Sequence, residues 1–465
     1  MAKEIKKRSE MDPKYTWATE DLYKSDALWK EDAQALEKMF GEVAQYSGKL
    51  GSSAETLLKF LKLKDEIKIK FSRVSGYAMR KFDEDTKNPV YQDLSSQVSR
   101  LGVSYGSALA FEVPELLTIS KDVFDKFFSE NQELKIYERY IGEITRRKDH
   151  FLSEKEEKIL AATGEMSDSP SDIMSMFRNA DIKFPDVLDE EGKPAKLTAG
   201  TFVPMLKSKD RRVRKDAFMA KYNTLDGFKN TAAAAYFGHI KSLMFYAKQR
   251  KYNSTLEAAL DVTDVPVNVY KNLISAVHDN MHYMHKYVSL RKKLLKVDEL
   301  HMYDLYTSMV PGADAKISFE EAKKNVMEAV APLGKEYQGI LQEGFDNRWI
   351  DVYENDGKRS GAYSAGSYVH PYVLLNHNDN LNSEFTLAHE MGHALHSYLS
   401  NKTQPVVYSN YKIFVAEVAS TFNEALLMEH LLGKTTDKME KATLINHFLE
   451  QFRTTIYRQT MFAEF

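Results

Sequence analysis

The chain has 465 residues, of which 43% are apolar and 28% charged, and it contains no cysteine. This composition excludes a disordered chain and a disulfide-stapled domain, and a formal charge of -3 argues against nucleic acid or an anionic membrane surface as a partner. Because no stretch reaches the roughly 18 apolar residues that span a bilayer and the start lacks an apolar leader, we expect no membrane partner and a cytoplasmic location.

The first part of the chain, before about residue 180, has apolar residues at helical spacing. Glycine and proline are scarce, at 21 and 12 residues, which favours long helices and a mostly α fold. Ser52-x-x-Glu55 and Ser153-x-x-Glu156 have the spacing of capping boxes and predict helix starts, as does Ser318-x-x-Glu321 later in the chain. One predicted helical face carries Phe60, Leu63, Ile67, Phe71 and Val74.

The first break in the helical pattern lies at residues 184–194. A β-like run there meets an acidic turn containing Gly192 and Pro194, which predicts a hairpin. We interpret its carboxylates as a solvated tip rather than a cation site. We place a domain junction at this break, so that residues 1–185 form an N-terminal helical domain and residues 186–465 a catalytic domain.

A second break interrupts the helices between about Trp349 and Asn376. Tyrosine, valine and glycine in this segment predict a small β element, and Pro371 favours edge strands. Helical pattern returns near Ser383 and continues to Phe465 without a terminal cap. The sequence therefore predicts that a C-terminal part is missing, and that the apolar helix end self-associates or packs against a C-terminal fragment.

The motif that carries chemistry is His389-Glu390-Met391-Gly392-His393, which fits H-E-x-x-H. On a helix the two histidines share one side, where their nitrogens can bind one Zn²⁺ at about 2.0–2.1 Å. Glu390 then lies beside the zinc-bound water as a general base. The alternative is a pair of surface histidines on an ordinary helix, which the uncharged flanking residues disfavour.

A catalytic zinc site normally needs a third protein ligand. Glu417 follows His393 by 24 residues, after a loop long enough for a second, antiparallel helix to present it to the metal. Glu424 shares its helical face and could fix the tautomer of a ligand histidine. Two acids seven apart on a helix are usually solvated, but the apolar residues around them favour partial burial: Phe414, Val415, Val418, Ala419 and Phe422. His396 lies too far along the helix axis to join the same ion easily, so we expect it behind the ligands, as for Glu424, or in the pocket wall.

Two other patterns receive weaker interpretations. His278, His282 and His285 also lie at helical spacing, but no acid stands between the first two, and an adjoining core edge is the simpler explanation. The glycine-containing segment with Gly361, Ala362, Tyr363, Ser364 and Gly366 could hold an extended substrate as an edge strand beside the zinc helix.

Several segments together resemble the oligoendopeptidase F branch of the thimet oligopeptidase family of zinc metallopeptidases. They are residues 389–398 around the motif, residues 414–424 with both glutamates, residues 359–366, the hairpin near residue 190 and residues 15–23. The resemblance implies a mostly helical, two-lobed body with a deep channel and a small β element beside the zinc helix. It implies one Zn²⁺ per chain, held by His389, His393 and Glu417, with Glu390 as base and Glu424 behind the ligands.

The implied function is an endopeptidase that cleaves internal bonds of short, unfolded oligopeptides. In the family, the catalytic region continues beyond the position of Phe465 and supplies His and Tyr residues that bind substrate and stabilise the oxyanion. The alternative function is a catalytically impaired, helical peptide-binding or scaffold fragment that retains the zinc site.

Overall fold

The computed structural model describes residues 5–310 and 316–465, and helices predominate in both ranges. The α-helices are, in chain order, α1 (Asp26–Ala44), α2 (Ala54–Glu84), α3 (Pro89–Ala108), α4 (Glu112–Thr118), α5 (Lys121–Glu130), α6 (Glu138–Arg146), α7 (Glu154–Ala162), α8 (Gly164–Met176), α9 (Ala199–Lys207), α10 (Arg211–Asp226), α11 (Lys229–Gln249), α12 (Thr255–Asp261), α13 (Val267–Asp279), α14 (Met281–Leu295), α15 (Phe319–Ala329), α16 (Lys335–Asp346), α17 (Leu381–Thr403), α18 (Ile413–Lys434), α19 (Lys438–Gln451) and α20 (Arg458–Glu464). The expected mostly α fold is confirmed. No helix within these ranges has the length and apolar character that a membrane span requires.

The chain forms two compact units, each assembled from two stretches of sequence. The first unit combines Met1–Lys148 with Asp314–Lys434, and the second combines Asp149–Ala313 with Thr435–Phe465. All residues of the predicted zinc site belong to the first unit. The predicted domains, residues 1–185 and 186–465, remain a prediction.

The first unit contains a large aromatic and aliphatic core. The predicted stripe on α2 faces it: Phe60, Ile67 and Val74 are fully buried, and Leu63 and Phe71 pack against them. Strand residues from near the predicted zinc site join the same core. The N-terminal helices and the site region therefore share one apolar interior.

Two of the predicted helix caps are confirmed and one is displaced. The hydroxyl groups of Ser153 and Ser318 accept backbone N–H groups three residues later. At the start of α2, however, the capping residue is Ser53, whose hydroxyl accepts the N–H of Thr56. The expected cap at Ser52 is therefore wrong by one residue, because either serine can supply the same oxygen.

The predicted hairpin is present in the second unit. Strands β1 (Val187–Leu188) and β2 (Pro194–Ala195) pair antiparallel, with Val187 opposite Ala195. Gly192 adopts a φ of +76° in the turn, a left-handed conformation that glycine allows. The Asp189 carboxylate accepts the backbone N–H groups of Glu191 and Lys193. The Asp189 carboxylate at the acidic tip therefore stabilises the turn through these two hydrogen bonds.

The second predicted β element is a three-stranded sheet in the first unit. It consists of β3 (Ile350–Asp351), β4 (Tyr363–Ala365) and β5 (Tyr372–Leu374), in the order β3-β5-β4. β5 runs parallel to β3 and antiparallel to β4, which contacts α17. The edge-strand prediction is thus confirmed for β4 but wrong for β5, which is central and fully buried. Pro371 does not prevent this position, because it precedes the strand and leaves the N–H groups of β5 free to pair.

The first turn of α17 contains a buried carboxyl group. Glu384 is inaccessible to solvent, and its Oε1 accepts a hydrogen bond from Asn325 Nδ2 at 2.7 Å. Among the described residues, no group donates to Oε2. Burial raises the pKa of Glu384 to about 7, so the folded chain favours its neutral form below that pH.

We expect Glu384→Gln to change how stability depends on pH. The folded chain keeps a proton that the unfolded chain releases between about pH 4.5 and pH 7, so rising pH removes stability across that window. The loss is on the order of 3 kcal/mol at about 1.4 kcal/mol for each unit of pKa shift. Unfolding midpoints at pH 5 and pH 8 should therefore fall further apart in the parent than in the variant, and equal pH dependence would contradict the assignment.

Candidate metal centre

Helix α17 has an apolar side and an imidazole side. Leu387, Met391 and Ala394 are completely buried, as the helical spacing predicts. His389 and His393 project from the other side, and their ring centroids lie 4.8 Å apart with the planes nearly perpendicular. Packing of the apolar side against the core thus fixes the rotation of the helix about its axis. Both imidazole rings therefore project from the opposite side, close to each other.

Helix α18 brings a carboxylate to the two imidazoles. Glu417 Oε2 lies 3.4 Å from His389 Nε2 and 3.4 Å from His393 Nε2. Ligand bonds of 2.0–2.1 Å in a tetrahedral zinc site place neighbouring donor atoms about 3.3 Å apart. The spacing and the two-nitrogen, one-oxygen donor set therefore fit one Zn²⁺. Elsewhere in the described residues, no other group of three potential ligands converges in this way.

Close approach of the two helices depends on Gly392. A Cβ atom on this residue would lie 2.7 Å from Ser420 Cα and 2.8 Å from the backbone oxygen of Ala419. Sequence reasoning did not single out Gly392 as a positioning residue. The available signal was the glycine inside the motif together with small residues, Ala416 and Ser420, one turn apart on the partner helix.

We expect Gly392→Ala to weaken metal binding and folding together. The added methyl group has to push α18 and its Glu417 away from α17, and overpacking of this kind typically costs about 1–3 kcal/mol. Gly433→Ala is a matched control, because the same atom at the end of α18 meets nothing within 4 Å. Zinc affinity by chelator competition and the unfolding midpoint should fall in the first variant only; an unchanged zinc affinity in Gly392→Ala would contradict this role.

A second carboxylate orients the first histidine. Glu424 Oε1 lies 2.5 Å from His389 Nδ1, which donates to it and leaves the Nε2 lone pair facing Glu417. Burial opposes protonation of His389, but the hydrogen bond and charge of Glu424 raise its pKa overall. This is the position that the sequence predicted for Glu424.

Hydrogen bonds from α18 and α16 fasten this arrangement. Ser420 Oγ donates to Glu417 Oε2 at 2.7 Å. Asn423 Nδ2 donates to the Ala388 carbonyl, and Tyr337 OH donates to Asn423 Oδ1 at 2.9 Å. Sequence reasoning missed Asn423 and Tyr337, since no local spacing relates Tyr337 to a helix 86 positions away.

Glu390 lies between the two histidines in sequence and is almost fully buried. No described residue donates a hydrogen bond to its Oε2. Burial raises its pKa to about 7, against the opposing charge of His389 and with the support of Glu417 and Glu424. Its burial distinguishes it from an ordinary surface glutamate on an exposed helix.

His396 takes a different environment from the two motif histidines. Its ring stacks on Tyr411 with centroids 3.7 Å apart and an angle of 10° between the planes. Its Nδ1 is buried, and no described residue bonds to it. In the second histidine pattern, which comprises His278, His282 and His285, His278 Nε2 lies 2.8 Å from Glu464 Oε2, and both side chains are exposed.

The predicted substrate segment lies on and around β4. Tyr363 OH donates to the buried Asp83, and Ser364 Oγ is buried without a bonding partner among the described residues. A Cβ on Gly366 would lie 3.0 Å from Ser397 Cβ on α17. Gly366 therefore allows β4 to approach the helix, and Gly361, with a φ of +86°, turns the chain into the strand next to Ala362.

The expected partial burial of the two glutamates on α18 is found for Glu424 but not for Glu417, and most of the apolar side chains that favoured it are themselves exposed. Exposed side chains on this helix include Phe414, Val415, Val418 and Phe422. The buried face carries the smaller Ala416, Ser420 and Asn423 instead, because the close contact with Gly392 has no room for larger groups.

Comparisons with known proteins agree with this geometry. A model described as peptidase family M3 matches residues 204–465, and one described as oligopeptidase F matches residues 115–184. The oligopeptidase PepF of Bacillus subtilis is 46% identical over all of this chain and 69% of its own length. An oligoendopeptidase F homolog of Lactococcus lactis is 41% identical over 99% of this chain and 77% of its own.

Solved structures show the same fold. A Chlamydophila abortus protein of 33% identity superposes with a TM-score of 0.86 over 99% of this chain and 78% of its own. The oligoendopeptidase F of Enterococcus faecium, also 33% identical, gives 0.68 over 94% of this chain and 74% of its own. These relatives favour an enzyme over a peptide-binding scaffold. The chain belongs to peptidase family M3, in its oligoendopeptidase F branch, and is a metallo-oligopeptidase.

Proposed function

We propose that the chain is a zinc-dependent endopeptidase that hydrolyses internal peptide bonds of short, unfolded oligopeptides. The observation that carries this proposal is the convergence of two imidazole nitrogens on one carboxylate oxygen, each 3.4 Å from it and all three atoms within 4.8 Å of one another, with the buried Glu390 on the helix of the histidines. The names of the relatives support oligopeptides as the substrate class.

His389, His393 and Glu417 would hold the ion, one per chain. Two neutral nitrogens and one carboxylate form the donor set of hydrolytic zinc sites that keep a further position open. Glu424 keeps His389 in the binding tautomer, and Ser420 positions the Glu417 carboxylate. When bound, zinc supplies Lewis acidity toward water and the scissile carbonyl oxygen.

Glu390 would act as general base and then as general acid. Its carboxylate accepts a proton from the attacking water as the new C–O bond forms, and it returns a proton to the nitrogen as the C–N bond breaks. The scarcity of hydrogen-bond donors around Oε2 leaves that oxygen available for this transfer. His396, stacked on Tyr411, would form part of the adjoining wall.

The open edge of β4 would hold the substrate in an extended conformation. Val373 and Leu375 donate their backbone N–H groups to the β3 side, so alternation directs Tyr372 and Leu374 toward β4. In the register observed, Tyr363 and Ala365 face β5, and the main-chain groups of Ser364 face away from it. Ser364 can therefore pair with a peptide backbone.

Backbone methylation of a peptide inhibitor tests this strand pairing. We expect methylation of the one amide nitrogen that pairs with the Ser364 carbonyl to weaken binding about tenfold, by loss of a hydrogen bond and a steric clash. Methylation at the next residue, whose amide points away from the strand, is the matched control. Equal effects at every position along the inhibitor would contradict extended pairing. Gly366→Val is less suitable because it disturbs α17.

The experiment that tests the function is cleavage of a quenched oligopeptide beside a folded protein, with and without a zinc chelator. We expect cleavage of the oligopeptide only, its loss on chelation and its return with zinc. Rapid digestion of the folded protein, or cleavage that survives complete zinc removal, would refute the proposed function.

A further inference from the structure

A cavity of about 410 Å³ lies in the first unit, outside the metal centre. One face of α2 forms much of its wall, and α3, the segment around Tyr137 and Tyr140, the β4–β5 loop and the α17–α18 loop close the rest. Its volume falls in the range of about 300–1,000 Å³ that is common for small-ligand sites. Neither the metal centre nor the proposed strand pairing uses these residues.

Two lysines on the α2 face have different partners. Lys64 Nζ pairs with Glu112 at 2.5 Å, so its charge is neutralised within the fold. Lys68 Nζ, one turn later, donates to the Val406 carbonyl at 2.6 Å and to Ser409 Oγ at 3.2 Å. Within the described part of the chain, no carboxylate forms an ion pair with Lys68. A half-buried ammonium of this kind has hydrogen bonds but no paired carboxylate, so a bound anion would stabilise it further.

Other polar groups of the lining have hydrogen-bonding capacity that no described residue uses. Across residues 5–310 and 316–465, the Tyr105 hydroxyl and the Asn410 side chain form no hydrogen bond, and both line the cavity. Asp65 lines it too, but Tyr137 OH donates to its Oδ2 at 2.7 Å and burial raises the pKa of this carboxyl group. The cavity therefore offers the Lys68 ammonium, which interacts electrostatically with Asp65 but forms no ion pair among the described residues, and at least two neutral donors.

Aliphatic and aromatic side chains form part of the remaining wall, and one lining residue is next in sequence to a contact of the motif helix. Leu61, Phe71 and Val407 contribute aliphatic and aromatic surface. Asn410 directly precedes Tyr411, whose ring stacks on His396, and His396 lies one helical turn beyond His393. A peptide bound at the metal centre could therefore extend one of its ends into the cavity.

We propose that this cavity binds a carboxylate group of the oligopeptide substrate, with Lys68 as its charged partner and Tyr105 and Asn410 as further donors. The proposal rests on the proposed function, because it assigns the substrate a second anchoring point. A free peptide C-terminus and an acidic side chain carry the same chemical group. The apolar lining would accommodate the side chain next to a terminal carboxylate.

Binding of labelled peptides to the zinc-loaded Glu390→Gln chain tests the proposal without turnover. The probe is a fluorescein-labelled hexapeptide of alanine and leucine, prepared as the free acid and as the C-terminal amide. We expect the acid to bind about tenfold more tightly, the usual effect of a hydrogen bond to a charged group. An amide with a glutamate at the last residue that binds like the acid would identify a side-chain carboxylate as sufficient.

Three variants test which residues produce the preference for the acid over the amide. Lys68→Met should abolish the acid preference, and Lys62→Met, an exposed lysine on the same helix, should preserve it. Because Lys68 also holds the 406–409 loop, Tyr105→Phe supplies a second test that leaves those bonds intact. Tyr105→Phe should reduce the ratio of the affinities for the acid and the amide about threefold.

Each result separates this proposal from the proposed function. Equal affinity of the parent for acid, amide and glutamate peptide would overturn the carboxylate site, as would an acid preference that persists in Lys68→Met. Zinc-dependent cleavage by the wild-type chain would still support the proposed function in that case. An acid preference without any cleavage would instead support the site and refute the function.

Discussion

Glu390→Gln is expected to bind zinc as the parent does and to lose about 10²–10⁴ in kcat, the range typical of a general acid–base group. The amide keeps the size of the side chain but cannot accept the proton of the attacking water. Because Glu390 is buried and does not belong to the group of converging ligands, the substitution should leave the metal centre assembled.

The matched control for this variant is Glu429→Gln, an exposed glutamate on α18. Zinc content by elemental analysis and cleavage of a quenched oligopeptide are measured on the same samples. A Glu390→Gln variant that holds zinc and cleaves at the parental rate would exclude Glu390 as the base. A variant without zinc would instead make Glu390 part of the binding site.

His393→Ala is expected to lower zinc affinity by at least about 10²-fold, since loss of even an outer hydrogen-bond partner typically costs 10–100-fold. His396→Ala is the control on the same helix face, because its ring stacks on Tyr411 and lies outside the converging group. The zinc affinity of Glu424→Gln should lie between those of His393→Ala and His396→Ala, because this substitution weakens the hydrogen bond that orients His389.

Competition with a chromophoric chelator measures the three affinities. Equal zinc affinity in His393→Ala and the parent would contradict the assigned ligands. Loss of zinc in His396→Ala as large as in His393→Ala would move the centre along the helix toward Tyr411.

The sequence indicated which candidate ligands could meet better than it indicated how the helices around them pack. The spacing of His389 and His393 on a helix depends only on local geometry, and the buried side of α17 agrees with that spacing. Glu417 could be proposed because a loop long enough to reverse the chain precedes it. The 3.4 Å distances from Glu417 Oε2 to the two histidine nitrogens, however, depend on how closely α18 packs against Gly392. No local sequence pattern predicts this distance between the helices.

Long-range contacts account for most of what sequence reasoning missed. Trp17 donates its indole N–H to the Val373 carbonyl, so an N-terminal residue packs against the sheet beside the metal centre. The central position of β5 likewise depends on Ile350, which precedes it by more than 20 residues. Pairings of this kind leave no periodic signal, because each partner lies in a separate segment.

Burial on α18 was mispredicted for a related reason. Its larger apolar residues have the hydrophobicity expected of a core, but the helix turns its small residues toward α17. The requirement for close approach near the ligands determines this orientation. Hydrophobicity alone therefore ranked the wrong face of the helix as the buried one.

Zinc titration of the metal-free chain tests the central claim most directly. Cleavage of a quenched oligopeptide is followed as zinc is added to protein stripped with a chelator. The account predicts that activity is absent at the start, rises linearly and reaches its plateau at one zinc per chain. Full cleavage by the metal-free chain, or bound zinc that produces no cleavage at all, would contradict it.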